Sequence, residues 1–200
     1  MDSPPQLSSI DVIAASLEPV VPEMGRMSSP DGAITLMLSD IAGAEVAAQQ
    51  LGSERWEKLV SDHRLLVDQI VKAHGGTIVK SEREGFLATF NSAHGGLHSA
   101  VELQRTFSGT TGVVGEGAER SYVRVGLHSG FVMANPEQLL GRNVVLAARI
   151  AAEAGPGEIL VSSTMKQYTE SDPRFRFEAR GERHFKGLHG EHEVFAVVWR

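Results

Sequence analysis

The residues able to do chemistry in this chain stand at turns. Ile34-Thr-Leu-Met-Leu-Ser-Asp40 is an apolar run of strand length ending in a carboxylate, followed by Ile41-Ala-Gly-Ala44 and a helical pattern from Glu45. A buried strand would deliver Asp40 to its C-terminal edge. The turn beyond it, loosened by Gly43, would leave backbone N–H groups pointing outward. An acid able to hold a divalent cation, beside N–H groups at a helix start, suits a metal–polyphosphate ligand. The plainer role for Asp40 is to cap the helix.

A second turn, Ser81-Glu-Arg-Glu-Gly85, holds Glu82 and Glu84 and is flanked by Lys80. If the hairpin it closes lies beside the Asp40 strand, Asp40 and Glu84 converge at one edge. Two carboxylates so placed can bridge two Mg²⁺ or Mn²⁺ ions roughly 3.5–4 Å apart. A solvated hairpin tip is the ordinary alternative. Lys80, Arg149 and Lys186 stand beside turns or on a small-residue helix, where each could hold phosphate. His94 and His98 are spaced i,i+4 but lack the intervening Glu of a zinc-protease helix. No nucleophile elbow, P-loop or G-x-G-x-x-G is present.

The elements that must position these residues are legible from periodicity. Residues 1 to about 30 carry five prolines with scattered Ser and acid and read as a flexible leader, with a short docking helix conceivable from Ile10 to Leu17. Ser53 reads as an N-cap, and Trp56, Leu59, Val60, His63, Val67, Ile70 and Val71 follow at helical spacing up to Gly75-Gly76. Thr77–Lys80 and Phe86–Phe90 form a hairpin. A helix starts at Asn91 or Ser92, and the Gly-rich residues 108–121 read as a loop. Tyr122–His128 is a strand, turned at Ser129-Gly130 into Phe131–Met133. Asn143–Ala154 is a helix, Glu158–Ser162 a strand, Thr164–Tyr168 a short helix, and the C-terminus a hairpin joined through Lys186-Gly187. This order predicts an α/β sandwich with helices on one face of a largely antiparallel sheet over residues 31–200.

Composition narrows the class. A chain of 200 residues can bury a core as one domain. The net charge of -6 argues against sequence-independent nucleic-acid binding. The absence of cysteine removes disulfides, thiolate metal sites and thiol catalysis, and fits a reducing compartment. No apolar run approaches the roughly 20 residues that span a bilayer, and no signal-peptide core is present, so a cytoplasmic protein is expected.

Several segments together resemble the class III nucleotide cyclases. Leu38-Ser-Asp-Ile-Ala-Gly43 resembles their first metal motif, T-D-I-x-G-S. Ala73-His-Gly-Gly-Thr-Ile-Val-Lys80 with Glu84-Gly-Phe-Leu-Ala88 resembles the hairpin H-G-G-x-x-x-K-x-x-G-D-G-F-L-A. Arg124-Val-Gly-Leu-His-Ser-Gly130 is similar to R-I-G-L-H-T-G, and Ala147-Ala-Arg149 to the end of V-N-x-A-A-R. Ala154–Ser162 and Phe185-Lys-Gly187 match the family's tail, and the likeness spans roughly residues 32–198. It implies a ferredoxin-like α+β fold with helices packed on a mainly antiparallel sheet. It also implies a head-to-tail homodimer with two interfacial sites, in which the ribose 3′-hydroxyl of ATP attacks the α-phosphorus and pyrophosphate leaves. Asp40 and Glu84 of one chain would hold two Mg²⁺ or Mn²⁺ ions, with Ile41, Ala42 and Gly43 beside the phosphates. The other chain would supply Lys80 and Gln138 to the base, the position of Val145 to the ribose, Arg149 to the transition state and Lys186 to the triphosphate.

The departures from that pattern fall in the site. Glu84 replaces an Asp. Arg83 replaces a glycine and is strained if the turn needs positive φ. It could also pair with Asp40 or Glu84 in place of a metal. Val145 replaces the Asn that orients the ribose, Gln138 replaces the Asp of adenylyl cyclases, and Glu45 adds an acid where phosphates would sit. Lys80 favours adenine by the family's pattern, and Gln138 can bond either base, so both ATP and GTP stay open. Three readings follow: an adenylyl cyclase of reduced activity, a degenerate domain that binds nucleotide or a regulatory protein partner, and a purely structural dimerisation domain. On the sequence alone, Asp40→Ala should abolish turnover and leave the fold intact.

Overall fold

A computed structural model describes residues 8–16, 32–108, 122–131 and 136–200, with only the helical backbone for 136–140. The loop expected at 108–121 falls almost wholly outside them. The described elements are helices α1 (Ser9–Ala15), α2 (Ala44–Leu51), α3 (Ser53–Ala73), α4 (Ala93–Ser108), α5 (Pro136–Glu153) and α6 (Ser163–Thr169). The strands are β1 (Ala33–Ile41), β2 (Gly76–Glu82), β3 (Gly85–Phe90), β4 (Val123–Phe131), β5 (Ile159–Ser162), β6 (Phe177–Arg183) and β7 (His192–Val197). They form one sheet in the order β2-β3-β1-β4-β5-β7-β6. Every pairing is antiparallel except β4 with β5. Among the described residues no helix is long and apolar enough to cross a membrane.

Helices cover both faces of this sheet, not one. Along β1, Met37 joins a cluster with Val71 of α3 and Leu97 of α4, whereas Ile34, Leu36 and Leu38 join Ile10 and Ile13 of α1 and Val144 and Ala147 of α5. Period-2 alternation separates the two sets. The clue lay in the strands: β3 is buried at every position, as a strand covered on both sides must be. Part of the proline-rich leader is therefore structural. Ser8 caps α1 by accepting from the Asp11 N–H, and Ile10 and Ile13 are fully buried.

Glycine explains the other local differences. Ser129-Gly130 makes no turn. β4 runs straight through it, pairing Gly130 with Ile34 and Phe131 with Ala33. A Cβ on Gly130 would lie 2.5 Å from Asn143 Oδ1, so the glycine admits α5, not a bend. Pro136 opens that helix, seven residues before the expected start, as proline's fixed φ allows at a first helical position. The N-cap of α3 is Gly52, and Ser53 is its first residue.

His63 makes the core sensitive to acid. It is 2% exposed, packs against Phe107 in a tilted ring pair with centroids 4.6 Å apart, and neither ring nitrogen has a partner among the described residues. Burial, aided by the Arg64 charge, pushes its pKa down from 6.5 to about 4. The unfolded chain therefore binds the extra proton, and the stability present above the unfolded pKa is lost as pH falls toward the folded one. The loss is about 2 kcal/mol by pH 5. His63→Leu should flatten this limb in denaturant titrations between pH 7 and 5, and a slope identical to wild type would show that other groups carry it.

Candidate active site

β1 delivers Asp40 to the sheet edge as its apolar run predicts, but the carboxylate caps no helix. Asp40 lies directly opposite Arg124 in the β1–β4 register. Arg124 Nε donates to Oδ1 and Nη2 donates to Oδ2 at 2.8 Å. Ser9 Oγ of α1 donates to Oδ2 at 3.1 Å. The Asp40 side chain is 2% exposed and that of Arg124 24%. The Asp40 hydrogen bonds are the main cause that raises the Arg124 pKa, with the Asp11 and Glu84 charges adding to it.

The hairpin converges on the same edge because β3 pairs with β1. Asp40, Ile41, Gly43, Arg83, Glu84 and Arg124 line a cavity of about 370 Å³, and Glu45 reaches it too. The turn tightens onto Arg83 and Glu84. Arg83 has φ 52°, the sole non-glycine positive φ among the described residues, and Arg64 donates to its carbonyl. The guanidinium on Asp40 is thus that of Arg124, while Arg83 carries the strain. Left-handed backbone costs an L-residue roughly 1–2 kcal/mol. Arg83→Gly should raise the unfolding free energy by about 1 kcal/mol in urea titration. A decrease would show that the Arg83 side chain holds the turn.

The first-turn amides are only partly available. Ala42 N–H donates to the Tyr122 carbonyl at 2.8 Å, which removes it from any phosphate. Gly43, at φ 72°, starts α2 with no side-chain cap.

Of the residues expected from the other half-site, Lys80, Val145, Arg149 and Lys186 lie outside this cavity. Lys80 Nζ donates to the Ser16 carbonyl at 3.0 Å. Arg149 Nη1 lies 3.4 Å from Asp11 Oδ1, and its buried Nε has no partner among the described residues. Val145 is half-buried one helical turn before Arg149. Asn143 does not substitute for the missing Asn, because His128 Nε2 donates to its Oδ1 at 3.2 Å and its Nδ2 donates to the Phe131 carbonyl. Lys186 is exposed in the turn after β6. The Gln138 side chain lies outside the described residues. Sequence reasoning missed Arg124 as Asp40's partner, because a cross-strand register has no local signature. The docking helix offered at Ile10–Leu17 is present as α1, Ser9–Ala15, but that reading gave Ser9 and Asp11 no role at the site.

Two carboxylates are hard oxygen donors of the kind Mg²⁺ and Mn²⁺ take. The set is minimal: among the described residues no three His, Cys, Asp or Glu side chains gather where they could hold a metal. Asp40 and Glu84 fit in type, but a cation on Asp40 would face the Arg124 guanidinium that donates to both its oxygens.

A model of the adenylate and guanylate cyclase catalytic domain matches residues 27–198. The chain belongs to that family, and it is a class III nucleotide cyclase domain. It is similar to the adenylyl cyclase CyaB of P. aeruginosa, with a TM-score of 0.72 and 20% identity over 83% of this chain and 93% of that one. An adenylate/guanylate cyclase/hydrolase from Silicibacter pomeroyi superposes with a TM-score of 0.68 and 26% identity, covering 83% and 96%. A Rhizobium meliloti protein provisionally named adenylate cyclase 3 is 29% identical over 170 residues, 81% of this chain and 28% of that protein. The serine/threonine-protein kinase pkn2 of Myxococcus xanthus is 29% identical over 126 residues, 63% of this chain and 15% of that protein. The chain thus spans less than a third of the length of these two curated relatives.

Proposed function

We propose that this domain is an adenylyl cyclase of low turnover that converts ATP to cyclic AMP and pyrophosphate in a homodimer. The convergence of Asp40 and Glu84 on one cavity, beside Gly43 at the start of α2, carries the reading. Mg²⁺ or Mn²⁺ held by Asp40 and Glu84 would neutralise the triphosphate and raise the acidity of the ribose 3′-hydroxyl. Arg149 bears a buried guanidinium N–H without a partner among the described residues, a donor suited to charge developing on phosphate. Lys80 would donate to the base and Lys186 would bind the triphosphate tail. Those basic residues lie outside the Asp40 cavity, so a second copy must bring its own Arg149 and Lys80 to complete each site. A domain cytoplasmic in location, where ATP is abundant, fits this role.

One observation favours a second reading. Arg124 holds the metal carboxylate in a bidentate pair, and with Val145 in place of a ribose-orienting Asn this fits a domain that binds nucleotide, or a regulatory protein, without turnover. Incubation with ATP or GTP plus Mn²⁺ or Mg²⁺, followed by chromatography for cyclic nucleotide, separates the two. Product lost in Asp40→Asn supports the cyclase, and no product with either base supports the second. Sedimentation at tens of micromolar should show a dimer, and a monomer alone would count against the shared site.

A further inference from the structure

The helix α1 touches the candidate site at three places that belong to three different elements. Ser9 Oγ donates to Asp40 at the end of β1. The Asp11 carboxylate lies on Arg149 of α5. The Ser16 carbonyl, just past the helix, accepts from Lys80 of β2. A carboxylate on the phosphate-binding arginine and a carbonyl on the base-binding lysine reproduce acceptors a nucleotide would present, and the Ser9 hydroxyl stands on the carboxylate that would take the cation.

Apolar contacts seat the helix on the same face. Ile10 and Ile13 are fully buried among Leu36, Leu38, Leu87, Val144 and Ala148. Gly85, next to Glu84, makes room for it: a Cβ there would lie 2.6 Å from Ser9 Oγ and 3.3 Å from Ile13 Cδ1. Ser8 and Ser9 also line the Asp40 cavity.

We infer that Ser8–Ser16 is an intrasteric cover whose polar groups compete with a nucleoside triphosphate and its divalent cation for Asp40, Arg149 and Lys80. The inference rests on the nucleotide-site reading above. Each chain's cover spans residues of both half-sites, so a nucleotide enters only when the helix leaves its seat. The apparent affinity is then the intrinsic affinity reduced by the fraction of uncovered chains.

Two measurements on the full chain test it, both with the non-hydrolysable analogue AMPCPP and Mn²⁺. In wild type, hydrogen exchange at the amides of residues 10–16 should speed up when the analogue binds. In the double variant Ile10→Ala/Ile13→Ala, which loosens the seat without touching a polar contact, the analogue should bind roughly tenfold tighter. Circular dichroism checks that the variant stays folded. If it does not, the exchange experiment on wild type decides alone. Binding that leaves α1 protected, or binding equally tight in the variant, would overturn the cover and leave the nucleotide site standing. No binding to either protein would overturn both.

Discussion

Asp40→Asn should lower product formation on the order of a thousandfold, the scale lost with one electrostatic stabiliser of a transition state. Asp40→Ala should also unfold more easily. The reason is the pairing with Arg124. Removing the carboxylate leaves a guanidinium whose side chain is 24% exposed with neither of its two carboxylate acceptors. Breaking a buried pair costs about 3–5 kcal/mol, and the low end applies because Arg124 keeps a quarter of its side chain in water. A loss of about 3 kcal/mol lowers the melting temperature by about 6–12 °C in a chain of this size. The amide of Asn retains one acceptor for Arg124, so this variant should melt within a few degrees of wild type. This revises the expectation that Asp40→Ala spares the fold, and makes Asn the cleaner control. A folded Asp40→Asn protein with undiminished product would remove Asp40 from the chemistry.

Val145→Asn should raise turnover by roughly a hundredfold, the scale on which misplacing a reacting group costs rate. Val145 sits half-buried one turn before Arg149 on α5, so an amide there reaches the same site as the arginine. The nearby Asn143 is held by His128 and the Phe131 carbonyl and does not stand in for the family's Asn. The gain should appear in kcat, with KM nearly unchanged, because an orienting contact acts on the reacting geometry. Equal turnover in the variant would place the handicap in the Arg83–Glu84 turn or in the Arg124 pair. Combining Val145→Asn with Arg83→Gly then separates these two.

Local chemistry made the strand ending in Asp40, the long helix through Val71, the Glu84 hairpin and the family likeness readable from residue order alone. Each depends on neighbours in the chain: periodicity, glycine at turns and motif spacing. The tertiary structure decided which groups meet. Whether Asp40 faces solvent or a guanidinium depends on the register of β1 against β4, which pairs residues 84 positions apart. Whether Gly130 is a turn or a seat for Asn143 depends on how closely α5 packs. The largest difference is α1. The leader's sequence offered a short docking helix from Ile10 to Leu17 but not the face it covers. Ile10 and Ile13 become core because they pack on Leu36, Leu38 and Leu87 of the sheet and Val144 and Ala148 of α5. Burial of that face draws in the helix, and with it the polar groups that now sit on Asp40, Arg149 and Lys80.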